Sequence, residues 1–270
     1  MHRYVFLAVA GLMLGLVPGQ AWAVVIFSET FDGPNLPTTL TYTAPGGYSQ
    51  WLLDNGRLFC DYPGSVNVTD TALTTVGFIA PGDLKTIYSL DVGIPTGASI
   101  GSYNVGIAFG GYQAVFHPGY TQVPGAFRIE GGYITSNMSM GFVPKMGVMH
   151  HMEVMTQFVP AGLAVTITVT GLGTDDQMHT FTYSFLDTTP NLNTGVFGAR
   201  RSGGTSANAL SDAWFDNFQV EYVPEPATST LLLLGGLGAG VLVCGTRRRR
   251  AGPLPEAFSS PRAESAGSPF

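Results

Sequence analysis

The chain has 270 residues, 45% of them hydrophobic and 11% charged, with 36 glycines, 18 prolines and a net charge of −6. Its central part, 24–223, carries six Lys or Arg against fifteen Asp or Glu, a net of −9, which excludes the basic surface that nucleic-acid binding requires. Two cysteines, Cys60 and Cys244, exclude a disulfide framework.

In chain order, 1–23 has a basic start (His2, Arg3), an apolar stretch over 5–17, a Pro18-Gly19 break and Ala21-Trp22-Ala23. This predicts a signal peptide cut after Ala23 by signal peptidase, since the apolar stretch is too short for a stable membrane span.

The body, 24–223, reads as strands nearly throughout. Apolar runs rich in Val, Ile, Thr, Tyr and Phe occur at 25–31, 51–60, 73–79, 86–92, 103–109, 113–116, 126–130, 152–158, 164–170, 180–185, 195–199 and 214–222. Asp54-Asn55-Gly56, Pro63-Gly64, Pro81-Gly82, Gly110-Gly111, Pro118-Gly119, Gly131-Gly132 and Asp175-Asp176 supply the turn residues between or within them. No window of the body shows a sustained 3.6-residue apolar period with caps, so the expected fold is one all-β domain, an antiparallel β-sandwich.

Candidate chemistry in the body is sparse. Cys60 follows Leu58-Phe59 and is expected as a small buried hydrophobe. Gly97-Ala98-Ser99-Ile100-Gly101 has the spacing of a nucleophile elbow, but 103–109 reads as a strand where that elbow needs a helix. His150 and His151 are adjacent on a strand and must face opposite ways, one packed and one solvated. The body has no Asp/Glu-x-Asp/Glu triplet, the same-face spacing that paired carboxylates on one strand need to flank a glycosidic bond. Glycan binding needs exposed rings beside amides or carboxylates. Tyr112, His117 and Tyr120, in a Gly/Pro-rich stretch expected to be loop, and Tyr133 with Asn137, after Gly131-Gly132, are the candidates. Trp51, Trp214 and Phe218 fall in strands and are expected in the core.

After the body come Pro224-Glu225-Pro226, an apolar segment 227–245 and Arg247, Arg248, Arg249 and Arg250. A helix over those 19 residues would be about 28 Å long against roughly 30 Å of bilayer hydrocarbon, so it predicts one transmembrane helix. The arginines put that end in the cytoplasm and the body outside. Residues 251–270, rich in Pro, Ser, Ala and Gly, are expected to be disordered.

The order of Pro-Glu-Pro, apolar segment and arginine cluster over 224–250 resembles the PEP-CTERM sorting signal of Gram-negative bacteria. That resemblance implies exosortase as a processing partner, a membrane anchor before processing, and a place at the cell surface or in the extracellular matrix. It also implies a link to exopolysaccharide and biofilm. The 251–270 extension departs from that family's pattern.

Within the body, Gly147-Val148-Met149-His150-His151-Met152-Glu153-Val154 with the turn at Pro160-Ala161-Gly162 resembles a laminin-G and pentraxin type segment. Gly195-Val196-Phe197-Gly198 and Trp214-Phe215-Asp216-Asn217-Phe218-Gln219-Val220 are similar to that family's closing strands. Phe27-Ser28-Glu29-Thr30-Phe31-Asp32-Gly33, with Trp51 and Asn55-Gly56-Arg57-Leu58, resembles the opening of concanavalin-like jelly rolls. These likenesses imply a concanavalin-like sandwich with no cofactor required, and a structural Ca²⁺ held by Glu29, Asp32 and Asp216 where the first and last strands meet. The ordinary role for Glu29 and Asp216 is to cap or solubilise edge strands. Three classes of function stay open: a glycan-binding module, a structural matrix protein, and a secreted glycoside hydrolase or lyase.

Overall fold

The structure, a computed structural model, describes residues 23–44, 49–61, 68–79, 84–96, 104–118, 122–123, 125–131, 135–190, 195–203 and 212–223. All of them belong to one compact unit, Gly19–Glu225. The expected signal peptide before Ala23, the sorting segment 224–250, the tail 251–270 and the Gly-x-Ser-x-Gly run lie outside the described residues. No helix among the described residues is long and apolar enough to cross a membrane.

Among the described residues, fifteen strands build two antiparallel sheets. They are β1 (Val24–Glu29), β2 (Leu40–Thr43), β3 (Gln50–Asp54), β4 (Arg57–Asp61), β5 (Thr69–Thr74), β6 (Lys85–Gly93), β7 (Asn104–Phe109), β8 (Tyr112–His117), β9 (Ala126–Gly131), β10 (Met138–Ser139), β11 (Met149–Val159), β12 (Gly162–Leu172), β13 (Met178–Asp187), β14 (Phe197–Ser202) and β15 (Ala213–Val223). The first sheet runs β13-β12-β11-β6-β15-β4-β3 with β1 also on β15, and the second runs β10-β9-β8-β7-β14-β5-β2.

Period-two patterning decides which face each residue takes. On β12, Leu163, Val165, Ile167 and Val169 are buried, while Thr166, Thr168 and Thr170 alternate with them on the other face. The core lies between the sheets, where Tyr88 of β6 meets Phe109 and Phe197 of the second sheet, and Phe181 of β13 meets Phe127 of β9. Each such side chain contributes roughly 1.5–3 kcal/mol by leaving water.

Turn chemistry sets the hairpins. Asn55 (φ 52°) and Gly56 (φ 73°) are both left-handed, the combination a two-residue hairpin turn favours, so the apolar run 51–60 is two strands, β3 and β4. A bulge between Asp216 and Gln219, with Asn217 at φ 52°, inserts one residue and keeps both Phe215 and Phe218 in the core.

Two further expectations are corrected. The strand expected at 73–79 is β5, Thr69–Thr74, four residues earlier. Short β2 and β10 carry too little pattern to be read. Trp214 is half-buried on the outward face of the first sheet, with the Arg57 guanidinium 5.4 Å from its ring centre, whereas Trp51 and Phe218 are core residues as expected.

Candidate functional site

The outward face of the second sheet carries a polar network that spans four strands. On β14 the alternation sends Phe197, Ala199 and Arg201 inward and Gly198, Arg200 and Ser202 outward. Strand register then aligns Arg200 with Gly106, Val115 and Arg128 across β14, β7, β8 and β9. The next row aligns Gly198, Ala108, Gln113 and Glu130. Glycine at 106 lets β7 pack closely on β8, since a Cβ there would stand 2.0 Å from the Ala114 carbonyl oxygen.

Arg200 Nη1 donates to Asn104 Oδ1 at 2.9 Å, and its Nη2 stands 2.6 Å from Glu130 Oε2. Arg128 pairs with the other oxygen of Glu130. Asn104 Nδ2 lies 3.5 Å from His117 Nε2, completing a chain His117–Asn104–Arg200–Glu130–Arg128 over four strands. Arg200 is 5% exposed, Asn104 3% and His117 5%, while the Glu130 and Arg128 side chains open to 23% and 32%.

Burial lowers the pKa of Arg200, the charge of Glu130 opposes that, and the like charge of Arg128 adds to it. The guanidinium stays protonated, so two cations share one carboxylate here. The Nε donors of both Arg200 and Arg128 are buried with no hydrogen-bond partner among the described residues. Groups of this kind can hold a planar acceptor, such as a carboxylate or a sugar hydroxyl pair.

Of the expected sugar-binding residues, Tyr112, His117 and Asn137 are described. Tyr112 is corrected: Gly110-Gly111 closes a tight hairpin, so Tyr112 begins β8 with its ring inside, stacked on Phe109 at 5.4 Å and donating its hydroxyl to Asp187 at 2.5 Å. His117 is also corrected from exposed loop to buried strand end, yet it joins the outward network. Asn137, half-buried, precedes Met138, whose register partner is Phe127, which continues the pairing towards Arg128. Its Oδ1 is buried without a partner. Tyr120 and Tyr133 lie outside the described residues.

The carboxylates of the expected calcium ligands Glu29, Asp32 and Asp216 each accept local hydrogen bonds. Glu29 does lie where β1 pairs with β15, but its carboxylate accepts from the Phe31 N–H at 3.3 Å and the Thr39 hydroxyl at 3.4 Å. Asp32 accepts from the Thr30 hydroxyl at 2.8 Å. Asp216 faces Asp91 across β15 and β6, and its pKa is raised by burial and then by the charges of Asp91 and Asp32, against the Asn217 N–H and Arg57. Among the described residues no three His, Cys, Asp or Glu side chains are grouped to hold a metal.

His150 and His151 split as expected. His150 is buried, with Nε2 2.9 Å from the Lys145 carbonyl, and His151 is outward, with Nδ1 2.8 Å from Asp91. Arg128, Glu130, Asn104 and Arg200 were not legible as a site, because only strand pairing joins positions up to 96 residues apart.

No family model matches the chain, and no curated protein matches it. Solved structures give several likenesses. Winged bean acidic lectin complexed with methyl-α-D-galactose is 10% identical, with a TM-score of 0.49 over 75% of this chain and 99% of that one. Peanut lectin with a 9mer peptide is 12% identical, with a TM-score of 0.46 over 76% and 100%. The carbohydrate recognition domain of Emp47p is 12% identical, with a TM-score of 0.44 over 73% and 94%. At such identities and TM-scores these are likenesses to lectin structures and no more.

Proposed function

We propose that this chain is an exported, non-catalytic glycan-binding module of concanavalin-like type, acting at the surface or in the extracellular matrix of a Gram-negative bacterium. Signal peptidase would remove 1–23, and exosortase would process the chain near Pro224-Glu225-Pro226 after 227–245 and Arg247 to Arg250 had held it in the membrane. A part in exopolysaccharide or biofilm follows from that address.

One observation carries the binding reading: the outward chain His117–Asn104–Arg200–Glu130–Arg128, amide, guanidinium and carboxylate groups fixed on four neighbouring strands. Planar hydrogen-bonding groups held on a rigid sheet are what a polyhydroxylated ligand requires. The reading is non-catalytic because Glu130 is the single carboxylate among the described strand residues of this face, and glycoside hydrolysis ordinarily uses a pair.

The test is a glycan array and a polysaccharide pull-down with the purified full-length chain and its Asn104→Ala variant. Saturable binding that weakens in the variant supports the reading. A folded chain that retains no polysaccharide returns the choice to a structural matrix protein.

A further inference from the structure

We propose that the outward face of β14, β7, β8 and β9 takes an anionic sugar, its carboxylate held beside Glu130 by the unmet Nε–H groups of Arg200 and Arg128, so that the ligand is a uronic-acid polysaccharide. This rests on the glycan-binding reading and narrows it to one chemical class.

Charge is the first argument. The body carries only six Lys or Arg against fifteen Asp or Glu, yet two of the six meet on this face around one carboxylate. The network therefore sets two guanidiniums against one carboxylate, with Arg200 at 5% exposure. A buried charge without full compensation is costly, and an anion arriving at that point removes the cost.

Hydrogen bonding is the second. The Arg200 guanidinium spends Nη1 on Asn104 and Nη2 on Glu130, and its Nε–H, buried, meets no acceptor. Arg128 repeats the arrangement, with Glu130 on one nitrogen and a buried, unmet Nε–H. Buried donors in a native structure are ordinarily satisfied, so two unmet guanidinium donors in one connected network mark the position of missing acceptor oxygens. Guanidinium is also the side chain that suits a planar two-oxygen acceptor. Neutral sugar hydroxyls would satisfy the donors but leave the charge.

Placement on strands is the third. Arg200, Gly106, Val115 and Arg128 stand in one cross-strand row, so the two guanidiniums converge over a floor whose residue beside Arg200 is a glycine. Asn137, which precedes the β10 residue paired with Phe127, adds a buried Oδ1 that meets no donor among the described residues.

The deciding experiment is isothermal titration of the purified full-length chain with three probes: a galacturonate tetrasaccharide, the same tetrasaccharide with its carboxyls reduced to alcohols, and a sulfated galactose tetrasaccharide. Each is run at low and high salt. The expected result is binding of the uronate, weakened by salt and by roughly tenfold or more on carboxyl reduction. Arg128→Gln, the more exposed of the pair, is expected to lose a similar factor with its thermal unfolding unchanged, and Arg200→Gln at least as much.

Equal binding of the uronate and its reduced form leaves the glycan reading standing and overturns this one. Binding of the sulfated probe alone overturns the carboxylate assignment. Uronate binding that Arg128→Gln leaves intact in a folded chain overturns the site. Failure of all three probes overturns the inference, while the array still tests the glycan reading on other sugars.

Discussion

Arg201 donates to Asp70 at 2.7 Å on the inward face of the second sheet, and neither side chain has any exposure. The two are direct register partners on β14 and β5, and the Ser49 hydroxyl donates to the other oxygen of Asp70. Glycine at 203 makes space for the guanidinium, since a Cβ there would stand 2.0 Å from Arg201 Nη2. Removing one partner leaves a buried charge, so Asp70→Ala and Arg201→Ala are each expected to cost about 3–5 kcal/mol. The paired change Asp70→Leu with Arg201→Met should cost less than either. Urea unfolding midpoints decide it, and single variants within 1 kcal/mol of the parent, on the order of a surface substitution, would falsify the assignment.

Cys60 lies beside this pair and is fully buried. Burial drives its thiol pKa well above the usual range, the charge of Asp70 adds to that, and Arg201 opposes it. Because the thiolate is the reactive form, a Cys244→Ser chain should resist a thiol reagent at mildly alkaline pH until it unfolds. Labelling rates should rise in step with urea-induced opening. Rapid full labelling of the native chain would show that Cys60 is reachable.

Much of the sandwich is legible in the sequence because its strands alternate cleanly. Leu163 to Val169 reads correctly, as does the split of His150 from His151. Where a polar residue points inward, the reading slips. β5 turns Asp70 and Thr74 inward around Ala72, so its apolar signal is weak and the expected strand falls four residues late. The same cause hides the site. Arg200 and Arg201 look like one charged pair in the chain, yet β14 sends one to the outward network and the other to Asp70 in the core. Tyr112 fails for a different reason: the Gly-Gly turn before it is only two residues long, so the ring that looked like loop starts a strand.

Two glycines separate backbone strain from crowding. Gly162 has φ +141°, and a Cβ there would stand 2.1 Å from the Asp187 carbonyl oxygen on β13. Gly141 has φ +80° with nothing within 4 Å of the same position. Gly141→Ala is therefore expected to cost only the left-handed backbone term, about 1 kcal/mol, while Gly162→Ala adds displacement of β13 and should cost about 1–3 kcal/mol more. Calorimetric unfolding of both variants tests the order. Equal losses would mean that β13 yields without resistance.

His150 and His151 should titrate in opposite directions. Burial lowers the pKa of His150 from its usual 6.5, and the Lys145 carbonyl only partly offsets it. For His151 the hydrogen bond to Asp91 raises the pKa above 6.5, against burial, with the charges of Asp91 and Glu153 adding to the rise. Asp91 is pushed up by burial, but hydrogen bonds from His151 and Asn217 and the charge of His151 hold it below its usual 3.8. The signs follow from which state binds the proton more tightly. The raised pKa of His151 gives stability that is fully present below 6.5 and is lost as pH rises through its folded value. Asp91 gives stability that is present above 3.8 and is lost as pH falls through its own. Their pair is therefore strongest between those two values. With the His151 side chain 48% exposed, solvent screens the pair to roughly 0–1 kcal/mol. His150, kept neutral by burial, works the other way: its contribution is present above 6.5 and declines as pH falls toward its depressed value. Proton NMR of the two imidazoles should show one midpoint on each side of 6.5, and His151→Gln should remove the loss of stability on the alkaline side while leaving the acid-side loss from His150. Coincident midpoints would remove the basis for both assignments, since adjacent residues on one strand would then share an environment that the sheet holds apart.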